Sequence, residues 1–508
     1  MDAGRFCLVL QAHLPFYGEN DRPNDVGLDD EGKRWLYEAV AESHLPLLIK
    51  FNKLTEEKID FSITISFSTI LLDQLNHKKF KIGFTEYLNE QINRAKEDSE
   101  NQENESEKRA LAERHMKRYE SILDYYNSIN KDIISEIKRL IQKNPKILLG
   151  TSSLTHAFLP LYKMYDEKMV KFQIEASIKR FEKWFGFKPE FLWLPECGYY
   201  PDLELILKRN GIKYIILDPI SILMSHKQPH NLCHFHNGIK VIGIDLNVQK
   251  KVWGDMNLSF GFSPMYRDYY AFDKKSKLKY WRVGNNLDRN NKEFYVAEDA
   301  KKQMNIDCNK LITILKEKFA QYKGYPETLD PDKPFSVVAT DMEYFGHWWH
   351  EGPDWVEQFF KWTNTHGLQT ATIKEVCDAN KSYEINMVKP FSWDVSHEVW
   401  LGTKMGKYND IVKELLYEIT DVLKLDGDEE TKNMIFREFL LVSNSDWAFE
   451  ISNNRAKMYS DYRLAIHIQR IRYLINSIKK NKKINLTGIK DADWLFEDMS
   501  YKEYLEIE

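Results

Sequence analysis

Two carboxylates in this chain stand where chemistry can use them. In Phe191-Leu192-Trp193-Leu194-Pro195-Glu196-Cys197-Gly198-Tyr199, a bulky apolar run ends at a proline, which stops further ladder pairing, and Glu196 comes next. A carboxylate at a rigid strand end has the fixed geometry a nucleophile needs, although a capping or salt-bridging glutamate reads the same way. In the second stretch, Val337-Val338-Ala339-Thr340 leads into Asp341-Met342-Glu343 and then an aromatic loop, Tyr344 to Trp349. Asp341 and Glu343 are two apart, so extended backbone points both to one side. Paired carboxylates bordered by tryptophan suit the cleavage or transfer of a sugar. One attacks the anomeric carbon; the other protonates the leaving oxygen and later deprotonates the acceptor. His347 and His350 lack the H-E-x-x-H spacing of a zinc site, and the Cys233-His234-Phe235-His236 run reads as a surface loop. No metal and no cofactor are expected.

These residues need a scaffold that brings strand ends together. Apolar runs at Phe6–Leu10, Phe61–Ser66, Ile147–Thr151, Phe191–Pro195, Tyr214–Asp218, Val241–Asp245 and Phe335–Asp341 read as buried strands. Segments of helical period, such as Lys33–Leu54 and Val170–Phe185, separate most of them. This alternation predicts an α/β fold with a parallel sheet, in which the carboxyl ends share one face. His13, His156, Glu196, Asp218 and Asp341 then sit on that face. Residues 80–144 break the pattern with helical spacing and a polar run, Glu97–Lys108, that reads as an exposed connector. Beyond about Pro390 the strand signals stop, and Asp410–Leu423, Thr431–Leu441 and Ala456–Lys479 have helical periods.

Composition narrows the function classes. Across 508 residues, 77 acidic and 72 basic side chains leave a net charge of −5, with no basic surplus for nucleic acid. No apolar run reaches the roughly 18 residues of a membrane span. No signal-peptide pattern opens the chain. The five cysteines are scattered without a C-x-x-C pair and read as reduced thiols, so a cytoplasmic protein is expected. Aromatics are 13% of the chain, with 13 Trp and 27 Tyr, more than a core usually needs. Flat rings with a polar edge suit hydroxylated ligands such as sugars.

Five segments, in order from residue 11 to residue 449, resemble the motifs of glycoside hydrolase family 57. They are Gln11-Ala12-His13-Leu14-Pro15, Thr155-His156-Ala157-Phe158-Leu159-Pro160, Trp193-Leu194-Pro195-Glu196, Asp341 through Trp349, and Ser445-Asp446-Trp447-Ala448-Phe449. The G-H-W-W ending of the fourth, the S-D-W-x-F fifth and Trp35-Leu36-Tyr37-Glu38-Ala39 resemble the branching-enzyme-like branch. The resemblance implies a distorted (β/α)7 barrel over 1–79 and 145–385, an inserted helical domain over 80–144 and a C-terminal all-helical domain over 386–508. It also implies a retaining, metal-free enzyme acting on an α-1,4-glucan such as amylose, glycogen or a maltooligosaccharide. Glu196 would be the nucleophile and Asp341 the acid/base. Gln11, His13, His156, Glu343, His347 and Asp446 would hold the sugar, and Trp35, Trp253, Trp393 and Trp400 would line the glucan groove.

Three departures from the family pattern accompany the resemblance. Gln11 stands where the first motif usually has His, and glutamine cannot shuttle a proton. No Tyr occurs between Tyr214 and Tyr266, where branching members carry one that shields the intermediate. Asp394-Val395-Ser396 replaces a Gly-rich stretch. The expectation is transfer to a sugar hydroxyl or to water. A mainly hydrolytic alpha-amylase is the alternative if the absent Tyr matters, and a glucan-binding protein without turnover is the alternative if Gln11 does.

Overall fold

A computed structural model describes residues 4–18, 31–226, 232–254, 259–284, 292–322, 334–385, 388–393 and 396–507. Its strands of four residues or more are β1 (Arg5–Ala12), β2 (Ile63–Phe67), β3 (Ile147–Thr151), β4 (Tyr214–Leu217), β5 (Cys233–His236), β6 (Ile239–Gly243) and β7 (Phe335–Asp341). β7, β1, β2 and β3 pair side by side, all parallel. Residues 191–192 continue the wall by bridging β3 through Leu192 and β4 through Phe191, and β4 pairs parallel with β6. The wall then closes. The Asp245 N–H donates to the Val337 carbonyl at 2.8 Å, and the Gln249 side-chain amide bonds both backbone groups of Ala339. Among the described residues seven parallel segments thus form a ring, with a glutamine side chain standing in for ladder pairing at the β6–β7 seam. Closure puts every strand's carboxyl end on one rim.

The residues explain these elements. β1 and β4 are mostly apolar, and they and β2 are buried on both faces, as parallel strands covered by helices must be. The strand expected over Phe191–Pro195 shrinks to two bridges, because Pro195 has no donor and Glu196 already turns away. The expected helix over Lys33–Leu54 forms as Glu31–Ala39 and Leu45–Glu56 joined by a π-turn, Val40–His44. Helices Lys78–Glu100 and Ser106–Ser128 pack together, with Phe84 edge-on to Tyr126 at 5.0 Å. The polar run between them forms the link at 101–105. Later in the chain, helices Gly406–Val422, Glu429–Val442, Ser445–Ser452 and Lys457–Lys479 carry their own buried face. One expectation fails: Cys233–His236 is no surface loop but a strand antiparallel to β6, with only Phe235 exposed, and His236 Nε2 lies 3.4 Å from Glu204. Asp394, Val395 and residues 227–231 of the Asp218–Gly238 connection lie outside the described residues. No helix among the described residues is long and apolar enough to cross a membrane.

Candidate active site

Glu196 sits on a left-handed turn, φ 60° and ψ 23°, followed by Cys197 at φ 52°. For side chains other than glycine such backbone costs about 1–3 kcal/mol per residue, so neighbours must hold it. Cys197 N–H bonds Leu194 O, Gly198 N–H bonds Pro195 O, and Trp393 N–H bonds the Glu196 carbonyl at 3.1 Å. The carboxylate is held too. Ser445 Oγ donates to Oε1 at 2.8 Å and Trp393 Nε1 donates to Oε2 at 2.9 Å. Ser445 has only one hydrogen to give, so its oxygen accepts from His156 Nδ1–H at 2.9 Å, which leaves His156 Nε2 a bare, buried acceptor.

Asp341 ends β7 in register with Gln11 on β1, so the two side chains leave the wall on the same side. The Gln11 side-chain oxygen and nitrogen are buried with no hydrogen-bond partner in the structure. Residues Met342–Tyr344 are a 3₁₀ turn and not extended, which corrects the simple two-apart geometry. Glu343 still turns inward, because His13 N–H (3.2 Å) and His44 Nε2 (2.6 Å) both reach its Oε1. His13 spans the site, with Nδ1 at 2.8 Å from Ser68 Oγ and Nε2 at 2.7 Å from Asp446 Oδ2. Its ring stacks on His156 at 3.9 Å and 16°. Asn444 caps the helix Ser445–Ser452 and Ser445 N–H bonds the His156 carbonyl, so the last motif delivers Ser445 and Asp446 together.

Four carboxyl groups therefore meet in a buried space. Burial, then the charge of Asp446, pushes Glu196 up to about 8, while the Ser445 and Trp393 donors pull it back. Burial, then Glu343, Glu196 and Asp446, pushes Asp341 well above the carboxylate range with no compensating donor. The two donors on Glu196, against none on Asp341, favour the charge on Glu196 and the proton on Asp341, the division an attacking base and a proton-donating acid require. Burial lifts Asp446 to about 6. Burial lowers His13 to about 3 and His156 well below its ordinary value, so both rings are neutral at pH 7 and offer hydrogen bonds.

His13, His156 and Asp446 offer ligand atoms within 4.8 Å of one another, a grouping scattered over 433 positions of sequence. The two imidazoles lie with an interplanar angle of 16°, and Asp446 already engages His13 Nε2.

The tryptophans divide. Trp393 lies 5.6 Å from Trp193 and 5.8 Å from Trp253, and Trp253 lies 6.1 Å from Trp348, making an aromatic wall beside Glu196. Trp35 packs with Tyr17 and Tyr459, next to Trp447. Trp400 does not line a groove: it is 1% exposed, stacks on Phe158 at 4.7 Å and donates to the Ser445 carbonyl, so it braces the last motif from behind. His347 likewise turns away from the carboxyl cluster, toward Tyr269 and Glu42. Ser68, Ser445 and His44 join the site without a local spacing to mark them, except that Ser445 stands in the S-D-W motif.

Residues 7–389 match the family profile for glycosyl hydrolase family 57, and residues 410–504 match that for the C-terminal region of 1,4-alpha-glucan branching enzymes. The chain is 25% identical over 530 residues to a 1,4-alpha-glucan branching enzyme of Thermococcus kodakarensis, covering 96% of this chain and 75% of that protein. Its fold superposes on the crystal structure of a branching enzyme of the same family from Pyrococcus horikoshii with a TM-score of 0.91 at 26% identity, over 100% and 97% of the two chains. An alpha-amylase from Thermotoga maritima superposes with a TM-score of 0.84 at 25% identity, over 99% of each chain.

Proposed function

The chain belongs to glycosyl hydrolase family 57, and from that premise we propose that it is a transglycosidase that cleaves α-1,4-glucan and rejoins the cut chain through an α-1,6 link. The observation that carries this reading is the pair of carboxyl groups on one rim: Glu196 anchored by two donors beside a tryptophan wall, and Asp341, whose ionisation is opposed by burial and by the neighbouring acids. In the first step the Glu196 carboxylate attacks the anomeric carbon while Asp341 gives its proton to the departing glycosidic oxygen. In the second, the Asp341 carboxylate takes the proton of an acceptor 6-hydroxyl, whose oxygen displaces Glu196 and completes a retaining exchange. Gln11, His13, His156, Glu343 and Asp446 bind the sugar at the cleavage point, and Trp253 and Trp393 supply the faces on which the glucan rests. The fate of the intermediate depends on excluding water. Trp393, which touches the nucleophile directly, supports transfer where no loop tyrosine is available.

This reading treats 80–144 as the inserted helical domain and 386–508 as the C-terminal helical domain. It places the protein in the cytoplasm, acting on amylose, glycogen or maltooligosaccharides without a metal. The test is incubation with amylose followed by linkage analysis. The expected product carries α-1,6 branch points with little free reducing sugar, and both Glu196→Gln and Asp341→Asn lose at least ~10³-fold in rate. Reducing sugar without branches would establish the hydrolytic alternative. Glucan binding with no turnover in the native chain would overturn catalysis altogether.

A further inference from the structure

The strand Cys233–His236 brings a histidine to a carboxylate that the reaction does not use. Glu204 is 1% exposed and lies on the short helix Leu203–Arg209, just after the nucleophile turn. Three groups reach it. Tyr199 Oη donates to Oε2 at 2.6 Å, Asn237 Nδ2 donates to Oε1 at 2.7 Å, and His236 Nε2 stands 3.4 Å from the same Oε1. His236 Nδ1 lies 2.7 Å from the Ile385 carbonyl, which can only accept, so that nitrogen carries a proton. A neutral ring would then turn the Nε2 lone pair toward the carboxylate, whereas the imidazolium turns an N–H toward it. Burial opposes the charge on Glu204, but the His236, Tyr199 and Asn237 donors outweigh it and hold the acid at about 2. The bond to Glu204 raises His236 above its ordinary value, against burial.

What this pair ties together gives it a further role. Tyr199 and Ile385 belong to the two segments that grip the nucleophile. Those segments meet antiparallel where Tyr199 N–H donates to the Phe391 carbonyl at 2.9 Å, and again where Trp393 N–H donates to the Glu196 carbonyl at 3.1 Å. Trp393 Nε1 then reaches Glu196 Oε2 at 2.9 Å. Upstream of Phe391, β5 holds Ile385 by both backbone groups: its N–H donates to the Phe235 carbonyl at 3.0 Å, and its carbonyl accepts from His236. Glu204 therefore anchors one segment through Tyr199 and the other through His236. A shift of either segment moves the Trp393 indole relative to the Glu196 carboxylate. We propose that Glu204 is a positioning residue that, through Tyr199 and His236, keeps Trp393 seated on the nucleophile and so governs how the glycosyl-enzyme divides between a sugar hydroxyl and water. The inference rests on the reading of the chain as a transglycosidase with Glu196 as its nucleophile.

The experiment measures reducing sugar released per branch point formed on amylose, together with kcat and KM, well below each variant's melting temperature. Glu204→Gln keeps the side-chain shape but loses the charge and one acceptor oxygen. Its ratio of reducing sugar to branches rises about 5-fold, because a displaced Trp393 admits water. Its kcat falls about 10-fold while KM stays within about 2-fold of native, as expected when reacting groups are misplaced without loss of substrate contacts. Tyr199→Phe, which removes a single hydroxyl, moves the ratio in the same direction by about 2-fold. Trp393→Phe, which keeps a ring but removes the indole donor, also raises it, and adding Glu204→Gln to that variant raises it no further. A merely structural Glu204 lowers the melting temperature and leaves the ratio alone. An unchanged ratio in Glu204→Gln or in Trp393→Phe overturns the proposal, as does an additive effect in the double variant. Should Glu204→Gln fail to fold, an unchanged ratio in Tyr199→Phe overturns it instead. Failure of the underlying reading shows in other proteins: the native chain would release sugar without branch points, or Glu196→Gln would keep its turnover.

Discussion

Two clusters in this chain bring together acids and histidines, and only one of them adds arginines. Around the catalytic rim, Glu196, Asp341, Glu343 and Asp446 meet His13, His44 and His156; among the described residues none of the four is paired with Arg or Lys. Between the C-terminal helices, Glu438, Asp493 and His467 are more deeply buried, but Arg463 and Arg470 contact Asp493, and Arg437 holds the carbonyls of Asp493 and Leu495. The arginines and His467 hold Asp493 well below the usual carboxylate range against its burial, while burial and the charge of Asp493 push its neighbour Glu438 above that range, as burial pushes Glu196 and Asp341. A buried acid with matched cations is a brace. A buried acid without them is a proton store kept at the expense of stability, which is where catalytic groups are found.

The comparison is sharpened most by breaking the brace. Asp493→Asn leaves Arg463 and Arg470 buried without their counter-charge and costs about 3–5 kcal/mol, read from urea unfolding. The depressed Asp493 contributes stability that is complete above the ordinary carboxylate value and fades as pH falls through its lower folded value, so the loss narrows only in strong acid. A variant as stable as the native chain would erase the distinction between the clusters.

At the catalytic rim the sign reverses. Glu196→Gln removes a strained charge and raises stability by about 1–2 kcal/mol even as activity disappears. Because the folded-state value of Glu196 is raised, its burden is full above that value and is relieved as pH falls toward the ordinary carboxylate range. The gain is therefore larger at pH 9 than at pH 5, measurable as the difference in melting temperature between variant and native chain. The smallest expected effect is that of Ser445→Ala. Losing one donor to the ionised nucleophile lowers kcat/KM by about 10-fold near neutrality and moves the acidic limb of the profile upward. A limb that stays in place would mean that Ser445 orients Glu196 without influencing its charge.

Much of this was legible in the residues. The seven apolar runs correspond to the seven segments of the barrel wall, and strand polarity alone placed Glu196 and Asp341 on one rim. What was hidden has physical reasons. A π-turn keeps the apolar periodicity of its flanking helices almost intact, so nothing in Val40–His44 marks His44 as facing Glu343. Trp400 shares its residue type with the tryptophans proposed to line the groove, and type does not distinguish a ring open to a groove from one that props a loop. Cys233–His236 mixes polar and apolar residues as a loop does, yet it pairs with β6 and buries its histidines. The pairing of His13 with Asp446 spans 433 positions, a distance that no local pattern reports.

The π-turn also constrains what the chain can become. A π-turn accommodates one more residue than an α-helical turn, and each helical residue advances the facing direction by about 100°. Trp35, Tyr37 and Glu38 lie before it; His44 and Leu48 lie after it. Deleting any one residue between 40 and 44 would restore a regular helix and swing one half against the other by a quarter-turn or more. Either Trp35 would leave Tyr17 and Tyr459, or His44 would leave Glu343. Substitutions can therefore vary freely along this helix in a way that length cannot, and the aromatic cluster and the catalytic rim inherit a common phase that must change together or not at all.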